Sequence, residues 1–404
     1  MQNSKILHLK IDNLSAQINL PASKSISNRA LILDALAYSS YEIQNLSDCD
    51  DTKVLVHALD SNDTTFDVGA AGTSMRFLTA FLSKTVGEWI ITGSERMKQR
   101  PIKLLVEALN SLGARIEYVE KEGFPPLRIF GSALIGGEIH LNGSVSSQYI
   151  SALMMIGPLM QEGLKIRLDG NVISQPYINM TLRMMQEYGA KIEYTNNTIY
   201  IEPQDYQPIP YAVESDWSAA SYWYEILALV GKGAVYLKGL RPDSYQGDSK
   251  VAELFVQLGV ETAYLSDGVL LTPKTPTTDY MEYDFSNEPD LAQTFAVTCC
   301  LKGIPFHFIG LQSLKIKETN RILALINELQ KLGYVLIEPA EGQLAWEGER
   351  CDPAEKIRIA TYEDHRMAMA FAPVALIQPI SIENPQVVSK SYPGFWEDFE
   401  KISL

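Results

Sequence analysis

Four segments of the chain repeat one pattern of hydrophobic and polar positions. In each segment, apolar residues recur at the spacing of an amphipathic helix, a glycine follows, and a short run then alternates between apolar and polar side chains. The pattern predicts a helix that ends at a glycine C-cap and leads into a strand. The segments are residues 104–118, 181–194, 251–264 and 322–337.

The glycines that close these segments lie roughly 70 to 76 residues apart, a longer period than that of a typical solenoid. They are Gly113, Gly189, Gly259 and Gly333. Short apolar runs bounded by Gly and Pro, such as 127–131 and 138–141, are typical of strands. Residues 54–59 would be a degenerate earlier copy. The period indicates a βαβ-type unit copied several times, and hence two α/β domains of about three units each, with a hinge near residues 212–216.

The length and composition also indicate a folded globular protein with two domains. A chain of 404 residues exceeds what one hydrophobic core usually supports, and 46% hydrophobic with 21% charged residues is ordinary for a globular protein. The formal net charge of −15 argues against nucleic acid or an anionic membrane surface as a partner. The four cysteines and five histidines show no metal-ligand spacing, so we expect no metal site.

No segment predicts secretion or membrane insertion. Residues 1–10 contain no apolar signal core, and the longest apolar stretch, near residues 150–160, is too short to span a bilayer. Cys299 and Cys300 are neighbours in an apolar run, which is typical of buried packing residues. We therefore expect a soluble, cytoplasmic protein with reduced cysteines.

Positive charge gathers at the predicted starts of five apolar helices. A helix N-terminus carries partial positive charge and unpaired N–H groups, so a cation is favourable there when an anion fills the gap. The stretches are residues 23–29, 72–76, 96–100, 317–321 and 364–366. Five such starts predict a site for one heavily anionic small molecule, or for two.

Short polar side chains accompany the cations of the first stretch. The hydroxyl and amide groups of residues 23, 25, 27 and 28 lie beside Lys24 and Arg29, and such a set suits an oxyanion and its hydroxyl neighbours. Solvated charges on an amphipathic helix are the alternative interpretation, and we favour ligand binding. Residues 143–149 form a second hydroxyl and amide cluster, suited to a polyhydroxylated ring or a phosphate.

The later stretches contain candidates for proton transfer. Lys317 and Arg321 are one helical turn apart, where like charges repel unless an anion lies between them. Glu318 would point elsewhere on that helix, stay ionised among the cations, and transfer a proton if placed against a reacting carbon. Asp290 begins a predicted helix over 291–300, either as its N-cap or as a functional group.

His365 is the histidine of this chain that is set directly between charged residues. A lone histidine is more often structural than catalytic, but the charged neighbours favour a functional role.

Eight motifs, in order along nearly the whole chain, resemble those of the 5-enolpyruvylshikimate-3-phosphate (EPSP) synthase family. They are residues 20–29, 71–76, 96–101, 143–148, 289–290, 317–321, 364–369 and 390–393. The resemblance implies an α/β fold of two similar domains, each of three βαβαββ repeats, in the inside-out α/β barrel arrangement of enolpyruvyl transferases. It implies a first domain over residues 21–213 and a second over 1–20 with 214–404, hinged near 20–21 and 213–216 and closing on the substrates.

The resemblance implies a transferase that joins shikimate-3-phosphate to phosphoenolpyruvate (PEP), releases phosphate, and serves aromatic amino acid biosynthesis. The first domain would serve mainly shikimate-3-phosphate and the second mainly PEP and catalysis. Matched motif by motif, the residues for shikimate-3-phosphate are Lys24, Ser25, Arg29, Ser146, Ser147, Gln148, Ser174, Tyr177, Asp290 and Lys317. Those for PEP are Lys24, Gly72, Arg76, Arg100, Gln148, Arg321, Arg366 and Lys390.

The resemblance also implies the catalytic roles. Asp290 would take the proton of the 5-hydroxyl with help from Lys24, and Glu318 would protonate C3 of PEP with His365 nearby. A tetrahedral intermediate would then expel phosphate into the cationic cluster. No metal or organic cofactor is required, and a monomer is expected.

A few positions depart from the family pattern. Ala70 and Phe77 replace an asparagine and a proline, Ala22 replaces a glycine, and Asn320 replaces an acidic residue. We expect weakened rather than absent activity, because Ala70 loses hydrogen bonds and Asn320 loses a charge that would orient its basic neighbours. The herbicide glyphosate competes with PEP in this family; Gly72 leaves room for it, whereas Ala70 and Phe77 would favour tolerance.

Two alternatives compete with this interpretation. The sister family that transfers enolpyruvyl to UDP-N-acetylglucosamine usually carries a reactive cysteine on a first-domain loop, and no cysteine lies between residues 50 and 298 here. A catalytically weakened or silent paralogue that binds the phosphorylated ligands is the other, and Ala70 and Asn320 are its support. Asp290, Glu318 and His365 argue against it, since a silent binder has no need of them.

Overall fold

The computed structural model describes residues 4–402, which form two compact units. One unit contains Ala22–Val213. The other combines the chain up to Pro21 with the chain from Glu214 onward. Helices and strands alternate in both, so the predicted α/β class is confirmed.

The helices and strands have the following bounds. The helices are α1 (Lys24–Leu36), α2 (Asp50–Asp60), α3 (Gly72–Lys84), α4 (Lys103–Ser111), α5 (Ser147–Ile156), α6 (Gln175–Glu187), α7 (Trp217–Val230), α8 (Val251–Leu258), α9 (Ala292–Lys302), α10 (Arg321–Lys331), α11 (His365–Phe371) and α12 (Phe395–Lys401). The strands are β1 (Ser4–Leu7), β2 (Leu14–Asn19), β3 (Thr65–Asp67), β4 (Gly87–Thr92), β5 (Arg115–Tyr118), β6 (Leu127–Gly131), β7 (Gly137–Asn142), β8 (Leu164–Asp169), β9 (Ile192–Thr195), β10 (Thr198–Ile201), β11 (Gly233–Lys238), β12 (Val260–Leu265), β13 (Gly268–Pro273), β14 (Met281–Asp284), β15 (Phe306–Ile309), β16 (Leu344–Trp346), β17 (Arg358–Ile359) and β18 (Ile380–Glu383).

One sheet topology recurs three times. The orders are β3-β4-β6-β5, β7-β8-β10-β9 and β2-β11-β13-β12, and each begins with a parallel pair followed by two antiparallel pairs. Two helices accompany each of the first two sheets, which gives the βαβαββ sequence of elements. Two further sheets, β14-β15-β16 and β1-β18-β17, are three-stranded. Within residues 4–402 each sheet is open, so none closes into a barrel.

The predicted glycine-closed helices are confirmed. α4, α6, α8 and α10 are followed by the predicted glycines, whose φ angles are +101°, +84°, +95° and +88°. This left-handed conformation is accessible to glycine at little cost, and it ends each helix. The predicted strands follow the first three helices as β5, β9 and β12, whereas residues 334–337 after α10 form only isolated bridges, of Tyr334 with Arg350 and of Ile337 with Ala345.

The start of the chain belongs to the unit that contains the carboxy-terminal half. β1 pairs antiparallel with β18, and β2 pairs in parallel with β11 over its full length. The core of this unit is built around α7, α9 and α11, which are buried on nearly every face.

The helix predicted over 291–300 begins slightly later. A 3₁₀ turn over Pro289–Leu291 precedes α9, so Asp290 lies within that turn and its side chain does not cap the helix. Within the described part of the chain, no helix has both the length and the apolar character needed to cross a membrane.

Candidate functional site

Arg29, in α1, is one of three buried arginines of the first unit, with Arg76 and Arg100. Its side chain donates to the Thr181 hydroxyl at 2.7 Å, to the Ser151 hydroxyl at 3.1 Å and to the Ser25 carbonyl at 2.9 Å. The rings of Phe77 and Tyr177 lie 5.3 Å and 5.9 Å from the guanidinium carbon. Burial lowers the pKa of Arg29 to about 10, opposed by the influence of Tyr177.

The neighbours of Arg29 in the described chain are therefore hydroxyls, a carbonyl and aromatic rings. A guanidinium held in this way keeps its charge without a carboxylate beside it, and charge-assisted hydrogen bonds to an anionic ligand would compensate its desolvation.

Lys24 begins α1, and its Nζ lies 3.2 Å from a carboxylate oxygen of Asp51. Ser23, Ser27 and Asn28, which the sequence analysis gave to a ligand, instead make hydrogen bonds within the protein. Ser23 caps α1, Ser27 accepts from the backbone N–H of Ser47, and Asn28 accepts from the Thr52 hydroxyl. All three are fully buried, which leaves Lys24 and Ser25 as the partly exposed polar groups of the stretch.

The starts of α3 and α5 are joined by a side-chain hydrogen bond. The Gln148 amide donates to the Thr73 hydroxyl at 3.1 Å. Ser146 caps α5 by accepting from the Gln148 backbone N–H, and Ser147 is the first residue of that helix. Two of the predicted ligand motifs are thus brought together at adjacent helix starts.

Gly72 approaches the guanidinium of Arg100 closely. A Cβ at Gly72 would lie 2.6 Å from one terminal nitrogen of Arg100 and 2.9 Å from the other, so a side chain would displace the guanidinium. The Nε of Arg100 is buried and has no hydrogen-bond partner within residues 4–402. Arg76, one turn into α3, donates to the Gly72 and Pro101 carbonyls at 3.1 Å and 3.4 Å.

Ser174 precedes α6 in the left-handed conformation, with φ +53°. This conformation is strained for a residue with a side chain, and such strain clusters at functional sites. Tyr177 follows in the first turn of α6, with its ring beside Arg29.

In the second unit, Asp290 is surrounded by three cations. Its carboxylate lies 2.9 Å from Arg321, 2.9 Å from Arg366 and 3.9 Å from Lys317. Burial raises the pKa of Asp290, but the charges of Arg366, Lys317 and Arg321 outweigh it and hold the pKa well below its ordinary value.

Arg321 links three carboxylates. It donates to Asp364 at 2.6 Å, to Asp290 at 2.9 Å and to Glu318 at 3.0 Å. Against the effect of burial, these carboxylates raise the pKa of Arg321 above its ordinary value. Lys317 shifts the other way, because burial lowers its pKa more than Asp290 and Glu318 raise it.

The stretch over 317–321 differs from its predicted geometry. α10 begins at Arg321, so Lys317 and Glu318 precede the helix rather than sharing a face of it. Glu318 consequently reaches Arg321, whereas the prediction had it pointing elsewhere. Asn320 caps α10 by accepting from the Leu323 backbone N–H at 3.2 Å.

The remaining predicted residues lie at α11 and just before α12. His365 begins α11 and is buried, with Nδ1 3.8 Å from an oxygen of Asp364. Asp364 caps this helix by accepting from the Arg366 backbone N–H at 2.9 Å. Lys390 ends a 3₁₀ turn and donates to the Glu363 carbonyl at 2.6 Å.

Several charged partners in these clusters were not singled out from the sequence. They are Asp51, Asp248 and Asp364. Asp364 was visible only as a neighbour of His365. Asp51 and Asp248 each lie beside a predicted helix, where an acidic residue is usual and carries no distinguishing signal.

Known proteins resemble this chain over nearly its full length. The EPSP synthase (3-phosphoshikimate 1-carboxyvinyltransferase) family model matches residues 9–61 and 58–399. A 3-phosphoshikimate 1-carboxyvinyltransferase of Bacteroides fragilis (strain YCH46) is 56% identical over 390 residues, covering 96% of this chain and 95% of the relative. That of Histophilus somni (strain 2336) is 36% identical over 426 residues, covering 97% and 98%.

The fold has a solved counterpart as well. The EPSP synthase of Acinetobacter baumannii superposes with a TM-score of 0.77 at 20% identity, covering 100% of this chain and 99% of that one. Sequence and fold agree, and this chain belongs to the EPSP synthase (3-phosphoshikimate 1-carboxyvinyltransferase) family.

Proposed function

We propose that this chain transfers the enolpyruvyl group of PEP to the 5-hydroxyl of shikimate-3-phosphate, which yields EPSP and phosphate in aromatic amino acid biosynthesis. The family match over nearly the whole chain carries the proposal. The buried cations support it, because each substrate presents a phosphate and a carboxylate.

The residues assigned to each substrate in the sequence analysis remain our proposal. For shikimate-3-phosphate, the strongest support is Arg29, a buried guanidinium beside hydroxyls and rings. For PEP, it is Arg100, whose guanidinium lies against the side-chain-free face of Gly72. We also retain the division of the chain near residues 21 and 213 as the boundary between two functional domains.

In the first chemical step, Asp290 accepts the proton of the 5-hydroxyl while that oxygen bonds to C2 of PEP, and C3 gains a proton. With no substrate bound, the low pKa of Asp290 makes it a weak base. Anionic substrate groups that pair with Lys317, Arg321 or Arg366 would partly neutralise these cations, and the basicity of Asp290 would rise when substrate is in place.

In the second step, the bond from C2 to the phosphate oxygen breaks and C3 loses a proton. Glu318, which takes up a proton from solvent before the first step, is our proposed donor to C3 and acceptor from it. Its hydrogen bond with Arg321 holds the carboxylate in place. The departing phosphate gains negative charge on the leaving oxygen, and the arginines proposed to bind PEP would stabilise this charge. Lys24 and His365 assist in this scheme.

Phosphate release tests the proposal directly. The purified protein is mixed with shikimate-3-phosphate and PEP together, and with each alone. Phosphate released only with both substrates supports the synthase. Binding of both by calorimetry without phosphate release would instead identify a silent binder.

The variant Asp290→Asn tests the proposed base. It keeps the shape of the side chain and removes the proton acceptor, so we expect kcat to fall by about 10²- to 10⁴-fold. Asp284→Asn, an exposed aspartate shortly before the same turn, is the matched control and should keep wild-type kcat. Similar losses in both variants, with folding intact, would remove Asp290 from the mechanism.

We further propose a cytoplasmic monomer, in line with the family resemblance. Sedimentation equilibrium at assay concentration distinguishes the monomer mass of 45.1 kDa from a dimer.

A further inference from the structure

A strained turn leads into the start of α11. It joins β17 to α11, and the Asp364 backbone N–H closes it by donating to the Thr361 carbonyl at 2.8 Å. Its two central residues, Tyr362 and Glu363, have φ angles of +53° and +55°. Positive φ at both central positions is the pattern of a type I′ turn, which glycine, asparagine and aspartate dominate. Tyrosine and glutamate adopt this conformation at a cost, so other contacts must hold the turn in shape.

Glu328 holds the turn from the side of α10. This glutamate is fully buried, and its carboxylate accepts from the Tyr362 hydroxyl at 2.7 Å and from the Ala360 backbone N–H at 3.1 Å. Lys331, three residues further along α10, donates to the same carboxylate at 2.6 Å and to the Arg358 carbonyl at 2.9 Å. Glu328 and Lys331 therefore bind the chain that enters the turn to α10.

A different segment holds the second central residue of the turn. The Glu363 carbonyl accepts from the Lys390 side chain at 2.6 Å, and the Glu363 carboxylate accepts from the Asn384 amide at 3.3 Å. These two partners flank the 3₁₀ turn that begins at Pro385. Tyr362 is thus bound to α10, whereas Glu363 is bound to the segment before α12.

α10 also holds the residue that follows the turn. Arg321, at the start of α10, donates to Asp364 at 2.6 Å. Asp364 in turn caps α11 by accepting from the Arg366 backbone N–H at 2.9 Å. The turn is therefore attached to one helix at two points, through Glu328 and through Arg321. Two attachments fix the direction as well as the position of the chain that enters α11, and with it the backbone of Arg366.

We propose that Tyr362 is a positioning residue for Arg366: its hydrogen bond to Glu328 keeps the strained turn closed, and the turn sets the orientation in which Arg366 meets PEP. The inference rests on the proposed function, with Arg366 as a PEP-binding residue. Tyr362 acts through the backbone of the turn and exchanges no atom with the substrates. Burial, followed by the hydrogen bond and charge of Glu328, raises the pKa of Tyr362 to about 12, so its hydroxyl remains a donor at neutral pH.

A hydrogen bond with a purely structural role would give a different result. Its loss would lower the thermal stability, and it would leave the affinities of the folded protein unchanged or weaken both substrates alike. A positioning role for Arg366 instead predicts a selective loss of affinity for PEP.

The experiment compares Tyr362→Phe with the wild type, each as the full-length chain. The variant keeps the ring and removes the hydroxyl that donates to Glu328. We expect KM for PEP to rise by about tenfold, as for the loss of one charge-assisted hydrogen bond. The dissociation constant for shikimate-3-phosphate, measured by calorimetry, should stay within about twofold of wild type. Circular dichroism checks that the variant is folded at the assay temperature.

Tyr236→Phe is the matched control. Tyr236 lies in β11, and its hydroxyl also donates to a carboxylate, that of Asp267. The variant therefore removes the same kind of hydrogen bond from another sheet of the same unit. It should leave KM for PEP and the affinity for shikimate-3-phosphate unchanged.

A double variant tests the strain itself. Adding Glu363→Gly to Tyr362→Phe places a glycine where a positive φ is needed, and it keeps the carbonyl that accepts from Lys390. The turn should then close without the hydrogen bond to Glu328. We expect KM for PEP to recover to within about threefold of wild type.

Several results would overturn the role of Tyr362. They are a KM for PEP within about twofold of wild type in Tyr362→Phe, equal losses for the two substrates, and a double variant that does not recover. A wild type without turnover would refute the proposed function and this inference with it. An active wild type with any of those three results would refute only the role of Tyr362.

Discussion

Arg29 and Arg321 are both buried arginines, but their charges are balanced in opposite ways. Arg321 is held by Asp364, Asp290 and Glu318. Removing one partner from a buried ion pair typically costs about 3–5 kcal/mol, so Arg321 is firmly fixed. Arg29 has hydroxyls and rings as partners, and its charge remains available to an anionic ligand. We infer that the charge of Arg321 is largely balanced within the protein before substrate binds, whereas that of Arg29 is left for an anionic ligand to balance.

A substitution at Phe77 tests whether Arg29 binds shikimate-3-phosphate. The variant Phe77→Leu keeps a buried apolar side chain but removes the ring that faces the guanidinium. A desolvated cation–π contact contributes up to about 2 kcal/mol, so the dissociation constant for shikimate-3-phosphate should rise by about tenfold, measured by calorimetry. The KM for PEP should change much less.

The matched control for that prediction is Phe66→Leu. Phe66 is buried in the same unit and stacks on Trp89. Its truncation should lower the melting temperature without weakening binding of shikimate-3-phosphate. Equal losses of binding in both variants would show that Phe77 acts through general stability.

At the residue scale, the sequence predicted which stretches carry chemistry better than it predicted their partners. It assigned Ser27 and Asn28 to a ligand, because pattern alone does not distinguish a buried polar side chain from an exposed one. It missed Asp248, whose surroundings come from three separate helices and turns. Pairing and burial of this kind arise only when distant segments pack together, so they lie beyond what residue type and spacing encode.

At the scale of elements, the protein supplies anions to its own basic helix starts. α1, α10 and α11 have no acidic residue in the first turn. At α11, however, Asp364 precedes the helix, caps it and pairs with Arg321. The motif pattern that predicted an anionic ligand is thus partly satisfied within the chain, and substrate would have to redistribute these contacts rather than fill an empty gap.

The N-cap of α10 gives a prediction at this scale. Asn320→Ala removes the acceptor for the Leu323 N–H and should lower the free energy of unfolding by about 1 kcal/mol. Asn320→Asp keeps the cap and places a negative charge at the helix start, so stability should be equal or slightly higher. Urea denaturation measures both variants.

Activity completes that prediction. If Asn320 serves as a cap, Asn320→Asp should leave kcat within about twofold of wild type. Gln330→Ala, an exposed change within the same helix, is the control and should alter neither quantity. A large gain in kcat for Asn320→Asp would instead support the expectation that the lost charge weakens turnover.

The elements themselves were largely predictable. Glycine-closed helices follow from local chemistry, since a positive φ angle suits glycine and ends a helix. The order of strands in each sheet is not local. β5 is next in sequence to β6, yet β6 also pairs with β4, and nothing in the apolar alternation of these strands states which neighbour each one takes.

At the scale of the whole molecule, one unit is formed by a single continuous segment of the chain, and the other is a composite of two segments. The unit over Ala22–Val213 is a single segment. The other requires β2, whose Leu14 and Ile18 are each only 1% exposed and belong to its core. The hydrophobic pattern alone predicts two domains. Only the family resemblance assigned residues 1–20 to the domain that contains the carboxy-terminal half.

The composite unit should therefore need its amino-terminal strand in order to fold. Burying a leucine or isoleucine side chain contributes about 1.5–3 kcal/mol, so losing Leu14 and Ile18 removes a large part of a typical stability of about 5–15 kcal/mol. The parallel pairing of β2 with β11 would be lost as well, leaving β11 as an unpaired edge.

We expect a fragment of residues 22–213 to unfold cooperatively in urea, and a fragment of residues 214–404 to lack a cooperative transition. Adding a peptide of residues 1–21 should restore the transition, measured by circular dichroism, while the same peptide with Leu14→Lys and Ile18→Lys should not. If the 214–404 fragment unfolds cooperatively by itself, β2 is not required for folding. The core formed by α7, α9 and α11 is then sufficient to fold this half of the molecule.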